Sequence, residues 1–308
     1  MKILVSGATG VIGSRVLPRL LALNHEVTAI SRPGSTRGKQ GPSNIRWVDA
    51  SLFDEESLIR ACAGQQAVIN LATHIPSSPI RMLLPWAWRE TNRIRTGGAQ
   101  NLAKAAIACG AERMIQESFA YAYPDRADNW VAEDTPLKPA DYCRGVLGAE
   151  DAVRSFGMEG RTGVALRFAA FYGGDAKHLK SMLAVAKRGW AALPGRGDAY
   201  ASSVSHDDAA AAVVAALHAP SGAYNVADNE PVTHVEYLGV LAQAAKAPAP
   251  RFPPAWTAAL MGPVAMTLAR SVRMSNALLR SKTNWSPSDR TIRTGLPKAV
   301  RELLGTPA

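Results

Sequence analysis

The chain has 308 residues, 47% of them hydrophobic, enough to bury a substantial core and suited to one large α/β unit with a smaller lobe. Its net charge of +10 comes from scattered Lys and Arg residues without a helix-turn-helix or base-stacking motif; no nucleic-acid partner is expected, only a mild preference for small anions. Three cysteines, Cys62, Cys109 and Cys143, are odd in number and lack metal-ligand spacing, which predicts free thiols, a reducing cytoplasm and no metal site.

Residues 1–33 organise the rest. Lys2–Ser6 is a β-branched and leucine run suited to a buried parallel strand, and it leads directly into Gly7-Ala8-Thr9-Gly10-Val11-Ile12-Gly13. In this G-x-x-G-x-x-G pattern, Gly7 and Gly10 allow a tight turn and close backbone approach to a pyrophosphate, and Gly13 lets the following helix pack on the strand. Thr9, Val11 and Ile12 then line the anion site at the helix start, whose unpaired N–H groups face the phosphates. Val16, Leu17, Leu20 and Leu21 recur at helical spacing and Glu26–Ser31 supplies the next strand, so a βαβ unit begins where the motif demands one. A strand this close to the start leaves no room for a signal peptide, a further reason to expect the cytoplasm.

The two-residue gap between these glycines resembles the short-chain dehydrogenase/reductase superfamily in its extended form, the NAD-dependent epimerase/dehydratase-like proteins, and the resemblance runs over nearly the whole chain. It implies an α/β fold: a doubly wound parallel sheet (Rossmann) with a smaller C-terminal substrate lobe. Residues 1–172 would form the dinucleotide-binding part, residues of about 200–230 would return to it, and 173–308 would mainly hold substrate.

At the end of the second strand, where NAD-binding relatives carry an acid for the ribose hydroxyl, this chain has Ser31-Arg32, with Arg37 and Lys39 beyond. A guanidinium there can hold a 2′-phosphate, so NADP(H) is expected ahead of NAD(H). Ile45–Asp49 reads as the third strand. The resemblance places Asp49 at the adenine amino group, with Ala50 after it, while Asp54 reads as the cap of a helix over Glu55–Cys62. Residues 67–72 are the fourth strand, whose Leu71 and Ala72 would lie beneath the cofactor.

The irregular stretch 73–85 and the tryptophans after it, Trp86 and Trp88, lie beyond the carboxyl end of a strand, where such sheets bind ligands. The asparagine that relatives carry one turn before the Gly98–Leu102 motif is Arg95 here. Residues 113–123 run as the fifth strand into a loop where relatives have paired hydroxyls before Tyr-Gly. Alignment on Tyr123 gives Ser118 and Phe119 and puts the substrate-binding hydroxyl position at Phe119; Ser118 or Glu117 could rotate into that role, and Ser118 is the one expected to polarise a substrate carbonyl. Tyr142 matches the tyrosine of the family's Tyr-x-x-x-Lys pair, but the lysine position is Val146. Arg144 cannot replace it, because two residues along a helix is a rotation of about 200°.

Residues 164–168 read as the sixth strand, ending on Phe168 near the cofactor, and Phe171-Tyr172-Gly173 as the loop over the nicotinamide. Ser205-His206-Asp207-Asp208 opens an alanine-rich helix, with Asp208 or Asp207 expected as its cap. The apolar stretch 256–269 is too short to span a membrane and contains Gly262 and Pro263; it reads as a lid or substrate-lobe helix.

Without the lysine, Tyr142 should keep a pKa of about 10 and be a poor base at neutral pH, yet still a competent proton donor in reduction. The leading expectation is an NADP(H)-dependent oxidoreductase that reduces the carbonyl of an apolar or aromatic small molecule, with Tyr142 and Ser118 at the reacting end. Trp86, Trp88, Trp190 and Trp256 suggest that substrate class or, equally, core packing. Two other classes stay open: a non-redox isomerase, lyase or cyclase using Tyr121, Tyr123, Tyr142 or His206, and a non-catalytic NADP(H)-binding sensor or subunit. A homodimer is the candidate assembly.

Overall fold

In a computed structural model, which describes residues 1–35, 44–76 and 79–305, the chain is built around a seven-stranded sheet. Its strands are β1 (Lys2–Ser6), β2 (Glu26–Ser31), β3 (Ile45–Asp49), β4 (Ala67–Asn70), β5 (Arg113–Phe119), β6 (Thr162–Phe168) and β7 (Gly222–Val226), in the order β7-β6-β5-β4-β1-β2-β3. Every pairing is parallel. The strand order reverses between β1 and β4, which opens a crevice at their carboxyl ends.

Alternation along the strands sends successive side chains to opposite faces, and each face carries its own helices. Ile3, Val5, Ile69, Ile115 and Val164 pack beneath α1 (Gly13–Ala22) and α5 (His206–Ala215). Leu4, Val68, Met114 and Ala165 pack beneath α2 (Glu55–Cys62), α3 (Ala99–Ala108) and α4 (Gly145–Phe156). The strands are therefore apolar on both faces, as their near-continuous Val, Ile and Leu runs require. A third core, with Leu179, Leu183, Tyr237, Leu241, Ile292 and Leu296, joins later helices.

Most caps follow local chemistry. Asp54 accepts the N–H of Ser57, as its position before Glu55 predicts. The cap of α5 is Ser205, not Asp207 or Asp208: the Ser205 hydroxyl accepts the Asp208 N–H at 3.0 Å. Asp208 is instead drawn to a distant segment, where its carboxylate accepts the backbone N–H groups of Ser288 and Asp289. Among the described residues no helix is long and apolar enough to cross a membrane.

Candidate functional site at the carboxyl edge of the sheet

The cofactor end is made of backbone. Gly7 has φ +77°, and a Cβ on it would lie 2.5 Å from the Leu71 carbonyl carbon, so β1 turns directly over the end of β4. A Cβ on Gly13 would lie 2.2 Å from the Gly7 oxygen, which fixes α1 hard against the turn. Gly10 differs: its Cβ would meet only the Gly7 oxygen, at 3.1 Å, and Thr9, Gly10 and Val11 face solvent. No side chain caps α1 and no acid occupies its first turn; Ser14 and Arg15 donate their N–H groups to the Gly10 and Ile12 carbonyls, and the positive end of the helix dipole is left for an anion. Ile12 is half-buried beneath the turn; Leu71 is buried and Ala72 half-buried beside it.

At the adenosine end Ser31 donates its hydroxyl proton to Asp49, its neighbour in register on β3. That proton is committed; Arg32 beside the pair is exposed, and Arg37 and Lys39 lie outside the described residues. Ala50 is buried behind the pair.

The reacting end is made of side chains. Tyr142 lies in the turn Asp141–Cys143 that leads into α4. The Asn92 side chain grips that turn twice, donating to the Tyr142 carbonyl at 2.7 Å and accepting the Gly145 N–H at 2.9 Å. The Tyr142 ring meets Trp88 edge-on at 5.0 Å and packs in a small cluster with Cys143 and Val264. Burial, and after it the adjacent Cys143, pushes the phenol well above its ordinary range; its hydroxyl is within hydrogen-bonding reach of Thr267. Thr267 and Val264 belong to the short helix Pro263–Leu268, so that part of the 256–269 stretch packs against Tyr142. Val146 is fully buried and supplies no charge, and Arg144 points to solvent with Asp141 at 3.7 Å.

The other candidates divide. Ser118 is fully buried and donates to Glu150 at 2.5 Å; Glu150 also takes two hydrogen bonds of 2.8 Å from Arg167. Its hydroxyl is thereby tied to α4 and β6. Tyr123 joins the same network, accepting from Arg167 at 2.6 Å and donating to Asn225 at 2.8 Å, and burial pushes its phenol up to about 12. Tyr121 sits by the reacting end, its ring 5.3 Å from that of Phe119 and its phenol pushed up to about 12 by burial. His206 lies on the α1 side, buried, with Nδ1 2.8 Å from Asp175, which Arg15 of α1 also engages at 3.1 Å. Burial lowers its pKa. Phe168 is buried beneath the crevice, 5.3 Å from Phe171. Of the four tryptophans Trp88 is core, whereas Trp86, Trp190 and Trp256 are exposed.

Two further groups, neither of them expected at the site from the sequence, stand near Tyr142 and Phe119. One is Asn92, whose double grip no local pattern announces. The other is Arg95, carried on a widened turn, Ile94–Gly98, with i→i+5 geometry, and 1% exposed. It makes a forked ion pair with Glu117, Nη2 to Oε1 at 2.5 Å and Nε to Oε2 at 3.2 Å, and its Cζ lies 5.3 Å over the Phe119 ring. The replacement of a family asparagine was its signal.

The model of the NAD dependent epimerase/dehydratase family matches residues 3–227. A 3-diazoavenalumate denitrifying reductase of Streptomyces sp is 30% identical over 308 residues, covering 96% of this chain and 99% of that protein. Among solved structures, the UDP-glucose 4-epimerase of Thermus thermophilus in complex with NAD is 25% identical with a TM-score of 0.78, covering 99% of each chain. Human epimerase family protein SDR39U1 with NADPH is 20% identical with a TM-score of 0.78, covering 98% of this chain and 99% of that one. With its seven parallel strands, its glycine turn and this family match over most of its length, the chain belongs to the NAD dependent epimerase/dehydratase family.

Proposed function

We propose that the protein is an NADP(H)-dependent reductase of an apolar or aromatic small molecule, most simply of a carbonyl group. The observation that carries this reading is Tyr142: a buried phenol held protonated, with Val146 where a lysine would otherwise draw the proton off. A neutral phenol donates a proton to a carbonyl oxygen that is gaining charge, and is a poor base for the reverse oxidation. The glycine turn and the N-terminus of α1 would hold the pyrophosphate and Arg32 the 2′-phosphate, and the nicotinamide supplies hydride. Residues 173–308 contribute most of the substrate side, including the cover over Tyr142.

The 30% identical Streptomyces protein favours a second reading. Reductive loss of dinitrogen from an aryldiazonium consumes one hydride, releases N₂ and leaves no oxygen to protonate, so a site without the usual lysine and with Phe119 at a hydroxyl position suits it. NADPH absorbance in the presence of 2-acetylnaphthalene or 4-carboxybenzenediazonium decides between them. Consumption with the ketone supports the first reading, and consumption with the diazonium alone supports the second. NADPH untouched across a wider panel of carbonyl and diazo compounds would leave non-redox chemistry or a sensor.

A further inference from the structure

Arg95 has one nitrogen to spare. Its Nε and Nη2 are spent on Glu117, but Nη1 is buried and has no hydrogen-bond partner. A buried donor left unpaired is costly, and native structures pair nearly all of them. The guanidinium lies over Phe119, and its charge acts on the thiol of Cys143, the residue next to Tyr142. The other groups that relatives would use to hold a substrate oxygen here are lost: Phe119 and Val146 carry no donor, and the Ser118 proton is committed to Glu150.

We propose that Arg95 Nη1 is the substrate-binding donor of this site, and that it takes a neutral oxygen acceptor, the carbonyl oxygen of an aromatic ketone or aldehyde. This rests on the reductase reading above. The preference for a neutral acceptor follows from charge: Glu117 already balances Arg95, so a carboxylate would leave one uncompensated negative charge in a desolvated pocket. A carbonyl oxygen enters uncharged and gains charge only as the reaction proceeds, when a fixed guanidinium is worth most. One hydride from the reduced nicotinamide to the carbonyl carbon, and one proton from Tyr142 to the oxygen, balance the reduction. The helix Pro263–Leu268 packs on the Tyr142 and Cys143 cluster, and on this proposal it is the segment that yields when ligand enters.

Equilibrium dialysis of the full chain, with and without NADP⁺, against 2-acetylnaphthalene, 2-ethylnaphthalene and 2-naphthoate tests this. The wild type should bind the ketone about 10-fold tighter than the hydrocarbon, a gap of about 1.4 kcal/mol, and the carboxylate no better than the hydrocarbon. Glu117→Gln removes the balancing charge and should move 2-naphthoate ahead of the ketone. Arg95→Met with Glu117→Leu replaces the pair by apolar groups of similar size, a change that buried ion pairs tolerate, and should bind ketone and hydrocarbon equally. Equal binding of ketone and hydrocarbon by the wild type, absence of binding by either, or a ketone preference surviving in the paired variant would overturn the assignment. A ketone preference in a protein that never oxidises NADPH would leave the Arg95 site standing and remove the reductase reading; NADPH oxidation without that preference would do the reverse.

Discussion

The two ends of the crevice are built from different materials. The phosphate end relies on backbone: glycines packed to within 2.2 Å and 2.5 Å of neighbouring main chain, and the uncapped start of α1. The proposed reacting end relies on side chains, and there the resemblance sets Arg95, Phe119 and Val146 against the asparagine, hydroxyl and lysine expected of the family. Main-chain geometry tolerates few replacements, so binding chemistry persists, whereas a side chain that contributes to one chemical step can be exchanged without disturbing the fold. The family likeness therefore speaks strongly for a dinucleotide and weakly for any one reaction.

The largest effects should separate the glycines from one another. Gly13→Ala forces a Cβ against the Gly7 carbonyl and should cost about 3 kcal/mol or more, read as a large fall in the thermal midpoint. Gly10→Val should leave that midpoint nearly unchanged and abolish dinucleotide binding in calorimetry, because its space belongs to the phosphates; retained binding would mean that the turn is only structural.

At the other end, Tyr142→Phe should slow ketone reduction about 100-fold while leaving NADPH affinity intact, since a positioned acid contributes to rate and not to cofactor binding. An unchanged rate would remove Tyr142 as the proton donor. Val146→Lys places a cation one turn from Tyr142 and should aid alcohol oxidation more than ketone reduction, with the oxidation pH profile moving to lower pH as the phenolate becomes easier to form. Rates in both directions across pH check it; equal gains in both would show that the lysine acts on binding alone.

A smaller effect is expected from Arg32→Ala: a loss of about 10-fold in NADP(H) affinity, one charge-assisted contact, with NAD(H) affinity unaltered. Equal losses for both cofactors would detach Arg32 from the 2′-phosphate. The smallest lies away from both ends. Asp228 is buried after β7, and burial pushes its carboxyl up to about 8. The folded state thus holds a proton that the unfolded chain releases at ordinary carboxylate pH. The stability linked to it is full below that range and is lost as pH rises through about 8. Asp228→Asn should flatten the decline of the melting temperature between about pH 4 and pH 8; an unchanged slope would place the titration elsewhere.

Legibility in the sequence followed the same division. The first six strands, the glycine turn and the Asp54 cap could be read because each depends on neighbours a few residues away. The α5 cap was expected at Asp208 or Asp207 and falls to Ser205; the N–H groups of residues 288 and 289, some 80 positions on, claimed Asp208. Ser118 looked like a substrate hydroxyl, but its proton goes to Glu150, which Arg167 in turn holds from a further strand. The pairing of Arg95 with Glu117 brings together a helix and a strand that no spacing relates.

The Asn92 grip has a consequence for how substrate range is set. Asn92 and Arg95 lie three residues apart, so one turn of chain both ties down the backbone beside Tyr142 and carries the guanidinium above Phe119. On the proposed reading, acid and cation are both fixed by this one turn. A bulkier or slimmer substrate would then be accommodated by residues 256–269, where Trp256, Leu260 and Met266 stand exposed. Altering which molecules are accepted is then a matter of resculpting that cover, and libraries directed at the turn would trade away turnover without widening the range.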